Sequence, residues 1–369
     1  MSASACALHG LCAINKPRDL TSHDVVGAAR RALHEKKIGH AGTLDPLATG
    51  VMILGVGAAT RLLGRITQDH KSYRARIAFG AQTSTDDDEG ECIARAAVSD
   101  ELLDQSFATS LLASFLGKNL QVPPQFCARS KDGVRAYMLA RQGISVDLTP
   151  REIEVVRASL VDVSFDDARS CPVWTVDFVV SKGTYIRALA RDIGKRAGSL
   201  AYLAGLERWA CQSVTLADCI SLDELRQGGK ELFLSRLIDP VRLLRMPVFP
   251  ITQKELENMN YGRALALSPD ECARIAHLLS ENERVHTASA ATVVPDQGPT
   301  ATAAPATSSA PAAPAVSLAP ARAPEFACVR ADKLYGIYEL KQDTLVCKVN
   351  LLAGVAGVIQ GGAYGRVDR

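Results

Sequence analysis

The sequence predicts a mixed α/β protein whose strands pair antiparallel, followed by a small β-rich unit. Three patterns predict it. Residues 71–79 alternate, with Tyr73, Ala75, Ile77 and Phe79 on one face and Ser72, Arg74, Arg76 and Ala78 on the other, the period of a half-buried strand. Alternation returns across residues 151–181, at Ile153, Val155, Val161, Val163 and Val173 to Val180, and gives several antiparallel strands. Stretches of helical period stand between strand segments, near 23–34 and 100–117.

Taken in order, residues 1–10 form a loose start, and Leu11 to Ile14 a short strand. Thr21-Ser22 supplies an N-cap for a helix with Val25, Val26, Ala29 and Leu33 on one side. The segment Gly39 to Gly50 holds a single carboxylate, Asp45, among three glycines and Pro46. Glycine reaches backbone angles other residues avoid, and proline biases its predecessor away from helix. Asp45 is therefore expected in a stiff loop, anchored by the buried strand Val51 to Leu54. A carboxylate held this way suits a nucleophile or a general base, although Asp-Pro alone is more often a turn starter.

Gly55-Val56-Gly57 invites a dinucleotide-binding reading, but Thr60 stands in place of the third glycine. The expectation is a turn into a short helix carrying Arg61 and Arg65. Residues 83–90 form a tight acidic turn; a calcium loop is rejected because Ala97 stands where its twelfth-position glutamate would be. A helix covers 100–117. Residues 118–145 follow as an insertion with a rigid Pro123-Pro124 entry, then Lys131, Arg135, Tyr137 and Arg141, a basic aromatic-bearing segment able to grip a phosphate backbone. Thr184 is expected to cap a helix running to about Arg196, with Arg187 in its first turn. Residues 11–243 make one domain. Residues 245–369 make a smaller module, with strands near 248–250, 327–330, 334–340 and 345–349. It is interrupted at 287–324 by a segment holding seven of the chain's 17 prolines; such a composition cannot bury a core and is expected to be disordered.

Composition narrows the partners. The 369 residues carry a net charge of only +2, so total charge does not argue for a polyanion. The distribution is more informative. Residues 1–80 hold 11 Lys+Arg against 5 Asp+Glu, residues 118–141 hold 5 against 1, and residues 82–104 hold 1 against 8. The surface is therefore polarised. Ten cysteines are scattered without a Cys-x-x-Cys pair, which excludes an ordinary zinc site and, without a signal-like start, a disulfide scaffold. No apolar run approaches the roughly 20 residues of a membrane span. A soluble cytoplasmic protein is expected, with no membrane partner.

The run Gly39-His40-Ala41-Gly42-Thr43-Leu44-Asp45-Pro46-Leu47-Ala48-Thr49-Gly50 resembles G-H-x-G-T-L-D-P-x-A-T-G, the catalytic loop of the TruB family of tRNA pseudouridine synthases. Other segments are similar to further signatures of that family: Asn15-Lys16-Pro17 to Thr21-Ser22, Lys71-Ser72-Tyr73, Gln121 to Gly133, Ser181 to Arg187, and Leu206 with Arg208. Asp19 stands where the family has glycine, and Ser130 stands in the lysine place with Lys131 one residue on.

The resemblance implies a pseudouridine synthase fold, with a central antiparallel sheet flanked by helices, plus a PUA-like RNA-binding module. It also implies the site. Asp45 is the catalytic aspartate, Arg187 pairs with it in bidentate fashion, and Tyr73 stacks on the base and helps remove a proton. His40 fills the gap left by a flipped base, and Leu206 lies beside that base. Lys16, Lys131 and Arg141 support the site or hold RNA; for each, an ordinary surface or core role stays open at this point. The acidic turn at 83–90 is expected to lie away from the RNA. The implied reaction converts uridine to pseudouridine at position 55 in the T arm of tRNA, without cofactor or metal, by a monomer. Two alternatives stay open: a tRNA-folding chaperone with secondary or no catalysis, and a nucleotide-dependent enzyme using Gly55 and Gly57.

Overall fold

A computed structural model describes residues 8–275, apart from 68, 69, 128, 132, 145 and 274, and residues 324–359. The 287–324 insert lies outside them but for its last residue. The chain divides into two compact units, Met1–Leu244 and Arg245–Arg369.

The first unit is built on a ten-stranded sheet. Its central strands lie in the order Gly10–Lys16, Ala48–Val56, Ala201–Cys211, Lys71–Phe79, Cys171–Val180 and Arg151–Asp166. Pairing is antiparallel except at two places. Ala48–Val56 runs parallel to Ala201–Cys211, and Gly10–Lys16 runs parallel to Cys219–Ile220. The short strand Ile38–Ala41 folds back on the distal half of Ala48–Val56.

Alternate side chains of these strands point to one face. There they meet the helices Ser22–Leu33 and Ile186–Arg196 in the main core. Trp174 anchors that core. Its ring lies 4.6 Å from Phe79, and its indole N–H donates to Leu102 O at 2.7 Å, so a fully buried polar atom stays paired. Full burial of each such apolar side chain stabilises by roughly 1.5–3 kcal/mol.

The first helix begins as its sequence reads. Thr21 and Asp24 form a reciprocal capping box. Two other expectations are corrected. The stretch 100–117 is not one helix. Asp104 caps a shorter helix, Gln105–Ala113, by accepting from the N–H groups of Ser106 and Phe107, and the preceding turn is separate. Thr184 is not the cap of Ile186–Arg196: its hydroxyl donates back to Ser181 O, and Tyr185 occupies the cap position without a side-chain bond.

The second unit is a five-stranded sheet ordered Val248–Pro250, Glu325–Arg330, Lys333–Lys341, Thr344–Ala356 and Leu265–Ala266. The helix Gln253–Asn260, capped by Thr252, packs its Met259 into the small core with Phe249, Phe326 and Tyr338. Among the described residues, no helix is long and apolar enough to cross a membrane.

Candidate active site

Asp45 sits in a loop whose every neighbour is fastened. The Ser22 hydroxyl accepts from Leu44 N–H and donates to Leu44 O, both at 2.9 Å, in a buried position. On the other side, Pro46 O accepts from Asp19 N–H at 2.9 Å and from Lys16 Nζ at 3.2 Å. Ala48 N–H closes the turn onto Asp45 O. The Asp45 side chain is left partly open, at 35% exposure.

Lys16 is no surface lysine. It is fully buried, and its ammonium also donates to Pro17 O and Leu20 O. Burial pulls its pKa down to about 8, against the opposing pull of the Asp45 charge. Asp19 stands where the family has glycine, and it adopts a glycine-like backbone. Its φ is +67°, the left-handed region that aspartate tolerates better than most side chains.

Arg187 arrives from the first turn of Ile186–Arg196, and only 6% of it is exposed. Its Nε lies 2.9 Å from Asp45 Oδ2 and 3.5 Å from Asp87 Oδ2. The expected bidentate pair is corrected. Only Nε faces Asp45, in ion-pair contact rather than an aligned hydrogen bond. Nη1 donates to Thr85 O and Nη2 to Phe126 O, both at 2.9 Å. The guanidinium therefore ties the acidic turn and the root of the insertion to the loop.

The acidic turn stands beside the site, not away from it. Asp87 is 2% exposed, accepts from Glu89 N–H and bonds Thr85. Burial pushes its carboxyl pKa up, while the Thr85 bond and Arg187 draw it back. Asp86, also buried, pairs with Arg191 at 2.9 Å, one helical turn beyond Arg187.

Tyr73 stands on the central strand Lys71–Phe79, flanked in register by Phe178 and Arg208. Burial raises the pKa of its hydroxyl, and the nearby Arg208 guanidinium opposes that by charge and hydrogen bonding. His40 is half-buried on Ile38–Ala41. Burial, and then the Arg208 charge, lower its pKa and keep the imidazole neutral. Leu206 is half-buried against the main core, level with Ala48 on one side and Ala75 on the other.

These residues converge around one loop. Lys131 lies in a two-residue strand paired with Val134–Arg135. Arg141 is exposed, 5.6 Å from the Tyr137 ring. The insertion reaches the site through the Phe126 backbone and the Gln121 side chain. Phe126 O meets Arg187, and the Gln121 side chain bonds both Tyr185 N and Tyr185 O.

Asp87, Ser22 and Arg208 went unassigned in the sequence. Asp87 was visible in the Thr83-x-Thr85-x-Asp87 spacing, and Arg208 beside Leu206. Ser22 gave no signal beyond its place at a helix start.

The nucleotide reading of Gly55 and Gly57 fails on space. A Cβ at Gly57 would collide with the His9 ring and Leu8 O, so the chain itself fills that turn. Among the described residues, no group of three His, Cys, Asp or Glu could hold a metal ion.

Residues 30–186 match the family model "TruB family pseudouridylate synthase (N terminal domain)". The chain is 40% identical over 258 residues to tRNA pseudouridine synthase B of Mycobacterium ulcerans, covering 69% of this chain and 83% of that protein. The chain belongs to the TruB family. A second TruB-family relative, tRNA pseudouridine synthase B of Syntrophotalea carbinolica, is 35% identical over 69% of this chain and 81% of its own length. Among solved structures, a Cbf5–Nop10–Gar1 complex matches with a TM-score of 0.50 at 22% identity, over 69% of this chain and 68% of that one. An archaeal box H/ACA Nop10–Cbf5 complex matches with a TM-score of 0.50 at 21% identity, over 71% and 70%. At such identity the likeness speaks for the pseudouridine synthase fold alone.

Proposed function

We propose that this TruB-family protein converts uridine to pseudouridine in tRNA, at position 55 of the T arm, with Asp45 as the nucleophile or base. The observation that carries the reading is the 2.9 Å approach of Arg187 to Asp45. It joins two motifs 142 positions apart in sequence (187 − 45).

The chemistry asks for three things. The target base must leave its stack, which costs a few kcal/mol. Neutral His40, on the strand leading into the loop, is suited to stack in the gap. The glycosidic N1–C1′ bond must break, the base must turn, and C5 must bond to C1′. A carboxylate kept ionised by a guanidinium can attack the sugar or take a proton, and Asp45 fits that part. Finally the C5 proton must leave while N1 gains one. Tyr73 fits this step, with Leu206 as the apolar contact for the base. The exchange is isomeric, so no oxidant, reductant or group donor enters its balance.

RNA is held by the 118–145 insertion, by its Lys131 and Arg141, and by the second unit acting as a PUA-type module. One chain supplies all the residues invoked. The test maps pseudouridine in T-arm RNA after incubation with pure protein. Wild type should form it without additives. Asp45→Asn should bind the RNA with near-normal affinity and form none. Retained turnover in Asp45→Asn would refute the assignment, and RNA refolding without isomerisation by wild type would favour the chaperone reading.

A further inference from the structure

Arg208 carries a buried positive charge close to the proposed reaction centre, yet the isomerisation as outlined gives it no part. It is 1% exposed. Among the described residues its side chain meets no carboxylate within salt-bridge distance: Nε donates to Val51 O at 2.7 Å and Nη2 to Gly42 O at 3.1 Å, and the guanidinium also reaches the Tyr73 hydroxyl. Those carbonyls lie on either side of Asp45, one near the start of the catalytic loop and one just after its end. The third nitrogen, Nη1, is buried without a hydrogen-bond partner. Burying an ionised group this way is expensive unless its charge is used or its bonds are strong.

The backbone of Arg208 is engaged as well. Gly50, the last loop residue, pairs with Arg208 in parallel register. Its φ is +105°, and a Cβ there would collide with Arg208 O. Gly42, whose φ of +86° suits glycine, brings the other end of the loop to ordinary contact distance of Nη1 and the Lys71 side chain. One residue thus seats both ends of the loop, through main chain and side chain. On its other flank it stands opposite Tyr73 in antiparallel register.

We propose that Arg208 is a positioning residue of the isomerisation: it draws the two ends of the Asp45 loop together and sets a positive charge beside Tyr73. The role rests on the isomerase reading above. It divides into two parts. The carbonyl bonds fix where the loop presents Asp45 to Arg187. The charge favours the tyrosinate form of Tyr73, which burial alone would suppress, and so eases transfer of the C5 proton.

Arg208→Met and Arg208→Lys test the idea, each assayed for kcat and KM on T-arm RNA and for melting temperature, beside wild type and Asp45→Asn. Arg208→Met should lower kcat by about 100-fold, the scale of losing one preorganised polar group, with KM within about threefold. Arg208→Lys keeps the charge and one carbonyl bond, and should recover about tenfold of that loss. Should the methionine variant fail to fold, the lysine variant carries the test alone: a folded protein with kcat down about tenfold and KM unchanged supports the role. Wild-type kcat in either folded variant overturns it. So does a loss that appears in KM and melting temperature but not in kcat, since that marks a purely structural arginine. If wild type forms no pseudouridine, the isomerase reading fails first, and the Arg208 comparison is distinguished from it by that control.

Discussion

Arg187 touches Asp45 with one nitrogen and spends the other two on backbone. Nε approaches Asp45 Oδ2 at 2.9 Å, while Nη1 and Nη2 bond Thr85 O and Phe126 O. Lysine at this position would keep the charge but not the fork. Arg187→Lys is therefore expected to leave at least one of these carbonyls unpaired in a buried setting, at about 1–3 kcal/mol. Both stability and kcat should fall, with kcat down by about 100-fold or more. Urea unfolding and single-turnover assays on T-arm RNA check this. A variant with wild-type kcat would show that the fork has no part in holding Asp45.

Asp87 is the second acid on the same guanidinium, 3.5 Å from Nε and 2% exposed. Burial disfavours its charge, and the Thr85 hydroxyl and then the Arg187 charge favour it. Asp87→Asn removes a negative charge that competes with Asp45 and also helps hold the guanidinium in place. The geometric loss should dominate, because the Thr85 and Glu89 bonds build the turn that presents Thr85 O. The expected result is a kcat lower by about tenfold, with RNA affinity unchanged. An unchanged or raised kcat would mean that Asp87 serves the turn alone.

Much of this site was legible in the sequence, for physical reasons that differ by residue. The strand Lys71–Phe79 was readable to its ends because one of its faces is buried almost throughout, and period two is then unmistakable. The rigidity of the Asp45 loop was readable from glycine and proline. The roles of Lys16 and Asp87 were not. Their burial comes from contacts with segments about 30 and 100 positions away in sequence, and a charged residue carries no local mark of being enclosed.

The misread helix at 100–117 has a local cause. Leu102, Leu103 and Phe107 keep helical spacing across Asp104, but Asp104 binds the next turn's N–H groups and starts the helix afresh. Thr184 misled in the same way. A hydroxyl before a helix can cap forward or bond backward, and spacing alone does not choose between them. Arg208 stood in plain view beside Leu206, but its two carbonyl partners lie 157 and 166 positions away.

Ser22 offers a separate test of loop rigidity. Its hydroxyl both accepts from and donates to Leu44. Ser22→Ala removes both bonds in one step and leaves a buried N–H and C=O without that partner. Destabilisation of about 2 kcal/mol is expected, together with a drop in kcat larger than any change in KM, because Leu44 adjoins Asp45. Thermal melting and steady-state kinetics on T-arm RNA measure the two effects. Loss of stability with kcat intact would show that Asp45 is held from the Pro46 side alone.

Lys16 holds that Pro46 side, and it ties stability to pH. Its pKa falls from an ordinary 10.5 to about 8 in the folded protein. Between these values the unfolded chain binds a proton that the folded one has released, so stability rises with pH across that window. Put the other way, the contribution is fully present above about 10.5 and is lost as pH falls through about 8. The difference amounts to about 3 kcal/mol at most. Lys16→Met removes the titrating group while keeping an apolar stem of similar length. Urea unfolding at a series of pH values from 7 to 10, wild type minus variant, isolates this group from the tyrosines and cysteines that titrate nearby. Wild type should gain on the variant steadily above pH 8. A flat difference would mean that the ammonium keeps its ordinary pKa, and that its three carbonyl partners offset the whole penalty of burial.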